Sequence, residues 1–168
     1  MKRLLALDPG KTTGMSIWGY DTETPLTLIG SGQIEGGVEG FLQYLYPADS
    51  KFMIWDVIVS ESFVLDGRTP NPDVTPLHIE GILESHAHRT NCQLRFQRNN
   101  FKKHVDNDKL KEIDFYVKGK PHAMDSMRHA LAFMKTTYHR PTLDKYFGNS
   151  LDEIAKISKA NGLYDDDF

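Results

Sequence analysis

Cysteine is nearly absent: one residue, Cys92, in a chain of 168. A single thiol excludes an internal disulfide and an all-cysteine zinc site, and leaves a buried structural role as the expectation. Long apolar runs are missing too. The apolar stretch after Met1-Lys2-Arg3 breaks at Asp8, and no run of eighteen follows, so neither a signal peptide nor a membrane span is expected. A soluble, cytoplasmic protein with no membrane partner is the resulting expectation. An overall cationic excess is also lacking. The formal net charge is −3, which argues against a generic polyanion binder. The charge is nonetheless uneven: residues 89–140 carry twelve Lys and Arg against five Asp and Glu, while each flanking region is acidic. Such asymmetry suggests a localised surface for a phosphate backbone.

With 39% apolar and 26% charged residues, the chain is of ordinary globular composition. One domain over residues 1–140 is expected, followed by a C-terminal extension, 141–168, that ends in an acidic tail, Tyr164-Asp165-Asp166-Asp167-Phe168.

The stretch Leu4 to Gly14, LLALDPGKTTG, organises the rest. Leu4 to Leu7 has no polar face, as expected of a central strand covered on both sides. Asp8 is the first residue with a reason to leave the core. Pro9 then removes an amide donor and Gly10 permits a reversal. Met15 to Trp18 follows at hairpin distance, with Gly14 small enough to admit backbone or ligand closely. Leu26 to Gln33 reads as a third strand, so the first three form an antiparallel meander. Residues 38–46 place Val38, Phe41, Leu42 and Leu45 at helical spacing.

Trp55 to Ser60, WDVIVS, is a buried strand expected beside the first, and it gives out at Glu61. Neighbouring strand ends would bring Asp8 and Glu61 together, an unfavourable approach of like charges unless a cation neutralises them. Residues 64–73 form a loop. Thr75-Pro76 opens a helix that runs to about Arg89, with Leu77, Gly81, Leu83 and Ala87 along it. His86 and His88 lie on different faces of that helix and read as surface histidines. Cys92 to Gln97 alternates as a half-exposed, terminal strand.

Arg98 to Lys120 holds six lysines with Phe101, Phe115 and Tyr116 interleaved. Lysines reach phosphates and exposed rings stack on bases, although a surface helix with its own apolar stripe would look the same. Pro121 to Thr137 has the best helical pattern. His122, Asp125 and His129 fall near one side of it, the first two in its opening turns, facing the strand-end carboxylates. Leu151 to Lys159 has the spacing of a short amphipathic helix.

A strand ending LALDPG, a second strand with a small residue at its start, a central strand ending VIVSES and a late helix HAMDSMRHALAF together resemble the RuvC-like Holliday junction resolvases of the ribonuclease H superfamily. The likeness spans residues 3 to 136, and the short, diverged form is similar to members found in bacteriophages. It implies an α/β, ribonuclease H-like fold: a mixed five-stranded sheet with antiparallel first three strands and helices on both faces. Carried over position by position, it implies catalytic metal ligands at Asp8, Glu61, His122 and Asp125. His122 stands where Asp is usual, and a nitrogen ligand favours manganese relative to magnesium. The implied activity is metal-dependent hydrolysis of phosphodiesters in branched DNA, as in recombination and repair. The implied cofactors are two Mg2+ or Mn2+ ions about 4 Å apart. Lys102, Lys103, Lys109, Lys118 and Lys120 are the candidates for DNA backbone contacts. A homodimer is implied, with residues 74–89 as its interface.

Two other readings compete. LDPGKTTG also resembles the phosphate loop of actin-like kinases and chaperone ATPases, whose nucleotide site needs two such domains in more than 168 residues. A non-catalytic, branched-DNA-binding protein could keep the fold and drop the chemistry.

Overall fold

In the computed structural model, residues 1–48, 54–65, 67 and 70–148 are described. The expected helix at 151–159 and the acidic tail lie outside them. A five-stranded sheet in the order β3-β2-β1-β4-β5 forms the centre. Its strands are β1 (Lys2–Asp8), β2 (Thr13–Tyr20), β3 (Thr27–Ile34), β4 (Val57–Glu61) and β5 (Gln93–Gln97). The first three pair antiparallel, and β4 joins β1 and β5 in parallel. This is the mixed sheet with an antiparallel meander that the sequence implies.

Helices cover both faces because β1 and β4 are apolar on both. Leu5, Leu7 and Ile58 face one side, where they meet Phe41 and Leu45 of α1 (Gly37–Leu45) and Ile79 and Leu83 of α2 (Thr75–Thr90). Leu4, Ala6, Val57 and Val59 face the other, against Met127, Ala130, Leu131 and Met134 of α4 (Pro121–Thr136). Continuous apolar runs are what a doubly covered strand requires. Removing one of these side chains, as in Leu131→Ala, would cost roughly 2–5 kcal/mol.

The ends of elements are set locally. The turn after Asp8 is closed by Thr13, whose hydroxyl accepts from the Gly10 N–H at 3.3 Å and donates to the Gly10 carbonyl at 3.1 Å. Thr75, opening α2, is tied by its N–H and hydroxyl to Asp73 Oδ1 at 3.1 and 2.7 Å.

Several expectations need correction. In α1, Leu42 is exposed, and only Phe41 and Leu45 are fully buried. In α2 the buried stripe is Ile79, Leu83, His86 and Ala87, with Gly81 exposed. His86 is therefore a core residue, its Nδ1 3.2 Å from Tyr46 Oη, whereas His88 is exposed as expected. Residues 98–120 do not make one helix. They form a 3-10 turn (Asn99–His104), the short α3 (Asn107–Glu112) and a connection in which Phe115 packs edge-on against Trp18 and Tyr146. That ring is committed to the core, while Tyr116 is exposed.

The folded body continues past residue 140. Helix α5 (Arg140–Tyr146) buries Leu143 and Tyr146, and its Thr142 hydroxyl accepts from the Leu26 N–H at 2.8 Å. Tyr146 donates to the Leu26 carbonyl at 2.7 Å.

Candidate metal centre

Parallel pairing of β1 with β4 sets Leu7 opposite Ser60, so the next residue of each strand, Asp8 and Glu61, emerges at the same edge of the sheet. On the other side of β1, Asp8 pairs with Gly14 at the start of β2. Gly14 is where α4 lands. A Cβ placed there would lie 1.9 Å from the His122 carbonyl oxygen and 2.9 Å from the Ala123 nitrogen. Further along, the Ser126 hydroxyl meets that of Ser16 at 3.1 Å, and Trp18 Nε1 donates to the same Ser16 oxygen at 2.9 Å. Small residues on both elements thus seat the helix against the sheet.

This seating delivers the two side chains expected from α4. His122 Nδ1 lies 2.9 Å from Asp8 Oδ2, and Asp125 comes up beside Asp8 and Glu61. The four residues Asp8, Glu61, His122 and Asp125, drawn from three elements, converge on one spot.

The spot is filled by a side chain. Lys102, on the 3-10 turn, sends its ammonium to 2.6 Å from Glu61, 2.9 Å from Asp125 and 3.0 Å from Asp8. Among the candidate backbone-contact lysines it is therefore the one turned inward. Lys103, Lys118 and Lys120 are exposed on the surface, whereas Lys109 pairs with Glu112 at 2.6 Å and lies 5.5 Å from the Phe147 ring centre.

The electrostatics follow from this crowding. Burial, together with the neighbouring Glu61, pushes Asp8 up to about 6, against the pull of Lys102 and His122. Burial raises Glu61 as well, but hydrogen bonds from His129, Asp8 and Lys102 outweigh it and hold that carboxyl down at about 2. Burial alone would lower Lys102, yet Asp8, Glu61 and Asp125 drive it the other way and keep the ammonium charged. The two strand-end acids thus titrate as a coupled pair, Asp8 shifted up and Glu61 down.

Three carboxylates around a single positive charge form a donor set that fits a hard divalent cation, since magnesium and manganese take oxygen ligands. Asp8, Glu61 and Asp125 would hold it with His122 at the margin. When bound, such a cation supplies Lewis-acid polarisation of a phosphoryl oxygen and of water.

Two further groups complete the site: Arg128, which the sequence pattern does not single out, and His129, which it places on the shared helix face without a role. Arg128 donates to Asp125, to Asn107 and, at 2.9 Å, to the Val105 carbonyl, tying the carboxylate to the start of α3. His129, fully buried, has Nε2 3.3 Å from Glu61 Oε2 and Nδ1 2.8 Å from the Gln97 carboxamide. Among the described residues, Asp8, Glu61 and His129 also form a trio whose ligand atoms lie within 4.8 Å of one another. Its place on the face shared with His122 and Asp125 was the one signal in the sequence that pointed to His129.

Beside the cluster a cleft of about 490 Å³ is lined by Pro9, Gly10, Lys11, Thr12, Phe63 and His122, among others. It reaches the cluster at His122, the residue in contact with Asp8. No described helix is long and apolar enough to cross a membrane.

Fold and site together describe a ribonuclease H-like α/β domain with an acidic centre at the ends of its central strands. No protein-family model and no curated protein matches the sequence. Among solved structures, the chain is similar to Thermus thermophilus RuvC in complex with a Holliday junction substrate. The TM-score is 0.55 at 11% identity, over 83% of this chain and 97% of that one. A second Thermus thermophilus RuvC structure gives a TM-score of 0.53 at 12% identity, over 82% and 97%. At such identities the likeness shows the fold, which is RuvC-like.

Proposed function

We propose that the protein is a metal-dependent, structure-specific endonuclease that hydrolyses phosphodiesters at Holliday junctions and in other branched DNA such as flaps and forks. The observation that carries this reading is the convergence of Asp8, Glu61 and Asp125 on the Lys102 ammonium at the strand ends, with His122 in contact with Asp8. These four residues are the proposed catalytic and metal-binding set, with magnesium or manganese as the cofactor. In catalysis Asp8 and Glu61 would hold the cation and orient the scissile phosphate's surroundings, with Asp125 braced by Arg128. Lys102 neutralises the carboxylates in the free protein and would have to leave the spot for a divalent cation to bind there. Lys103, Lys118 and Lys120, which are exposed, would neutralise the DNA backbone, and Lys109 would join them by leaving Glu112.

The enzyme would act as a homodimer, since a four-way junction presents two equivalent strands. The exposed faces of α1 and α2 support such an interface: Val38, Leu42, Leu77 and Ile82 line an open groove between them. The proposed setting is the cytoplasm of a bacterium or an infected host cell, with a phage-type resolvase as the kind of member.

The experiment is cleavage of a labelled four-way junction, beside flap and linear duplex, with magnesium, manganese or EDTA. Paired, symmetric, metal-dependent nicks are expected. Equal cutting of flaps would broaden the substrate class to branched DNA, and tight junction binding without any cutting would replace the enzyme with a binding protein.

A further inference from the structure

We infer that His129 is a positioning residue that holds Glu61 through an Nε2–H donor, its tautomer set by Gln97, and that it is not a ligand of the cation. The consequence for metal binding rests on the nuclease reading, whereas the hydrogen-bond pattern stands without it.

A neutral imidazole has one donor and one acceptor nitrogen, so the partner of one nitrogen decides the chemistry of the other. A histidine that binds metal through Nε2 ordinarily donates its Nδ1–H to an oxygen. His129 has only the Gln97 carboxamide at Nδ1, 2.8 Å away. Which end of that carboxamide faces the ring therefore settles the role of Nε2.

The neighbours of Gln97 fix the orientation. With its nitrogen toward the ring, the carboxamide donates to His129 Nδ1 at 2.8 Å and to the His129 backbone carbonyl at 3.2 Å, and its oxygen accepts from the Phe133 N–H at 3.3 Å. Reversed, it would set oxygen against that carbonyl oxygen and N–H against N–H. Gln97 is 5% exposed and His129 fully buried, so water offers no relief from such a mismatch. Nδ1 accepts, Nε2 carries the hydrogen, and that hydrogen is aimed at Glu61 Oε2 at 3.3 Å. A protonated nitrogen has no lone pair for a cation. Although His129 completes a trio within 4.8 Å with Asp8 and Glu61, its part is to orient the Glu61 carboxylate.

The test is long-range 1H–15N correlation of the imidazole rings in the intact protein, metal-free and with Mg2+, with His129 assigned through bonds to its backbone. The Nε2–H tautomer is expected in both states. An Nδ1–H ring in either state overturns the inference. A second arm measures Mn2+ affinity by calorimetry for His129→Gln, which keeps an N–H donor, and His129→Leu, which keeps none. Gln is expected within about threefold of the parent, and Leu weaker by about 10–100-fold, as for other groups that orient ligands. Equal losses in both would make His129 a ligand and overturn the assignment. The expected tautomer and affinities in a protein that cuts no junction would defeat the nuclease reading and leave this inference intact.

Discussion

Gly14 and His122 touch backbone to side-chain space: the position a Cβ would take on Gly14 is 1.9 Å from the His122 carbonyl oxygen. The contact links the start of β2 to the first turn of the helix that carries His122 and Asp125, so site geometry depends on a missing methyl group. Gly14→Ala is expected to cost about 1–3 kcal/mol, the range for overpacking, and to abolish junction cleavage by displacing α4. Urea unfolding and the cleavage assay read the two effects. Gly30→Ala is the control, because nothing lies within 4 Å of its added Cβ, and its stability should match the parent's.

Lys102→Met leaves three carboxylates facing one another without a counter-charge. In EDTA the variant should lose up to about 3 kcal/mol, the low end for breaking a buried pair, since the site opens to solvent. Manganese should restore the loss and bind more tightly than in the parent, because no ammonium competes. Thermal unfolding with and without Mn2+ checks this; a variant as stable in EDTA as the parent would show that the ammonium is not neutralising the cluster.

Asp8→Asn should abolish cleavage and retain junction binding, as read by gel shift. His122→Asp replaces a nitrogen donor by oxygen, and should move the metal profile of cleavage toward magnesium. An unchanged profile would count against His122 as a ligand.

Arg128→Met removes the brace on Asp125 without touching a carboxylate. Metal affinity is expected to fall about 10–100-fold, the usual effect of losing a group that orients a ligand, while the far-UV circular dichroism spectrum stays that of the parent.

Burial raises the Cys92 thiol from 9.0 to about 11. The sign is that of a group whose folded value exceeds its unfolded one: the stability it contributes is complete below pH 9 and is lost as pH rises from there toward about 11. Compared with Cys92→Val, the parent should lose more urea stability between pH 8 and pH 10 as a result, and native alkylation by iodoacetamide should be slow at pH 8.

Much of this architecture was legible because the strands that matter are short apolar runs with abrupt ends. Leu4 to Leu7 and Val57 to Ser60 announce buried strands, and the carboxylates that stop them are visible for the same reason. Pro121 and the small residues after it mark α4 equally plainly. Legibility failed where the answer depends on a partner distant in sequence. Nothing separates Lys102 from Lys103 in the chain, yet one points into the acids and its neighbour into solvent. A stripe drawn through Gly81 leaves His86 on the surface, whereas the buried stripe runs through Ile79 and takes His86 into the core. His129 falls on the right face by spacing alone, but its role is set by Gln97, 32 residues away on β5.

The mixed sheet also combines local strand pairings with distant ones. β1, β2 and β3 are joined by short turns and can pair early, whereas β1 must wait for β4, in a register that sets Leu4 against Val57, before Asp8 and Glu61 can meet. Pairings across such sequence separations close slowly, because chain entropy is surrendered before contacts repay it. The acids at 8, 61 and 125 therefore meet only through pairings distant in sequence, and Lys102 lies on the connection that leads into α4. The charge that offsets the three acids is thus carried by the chain itself, on Lys102.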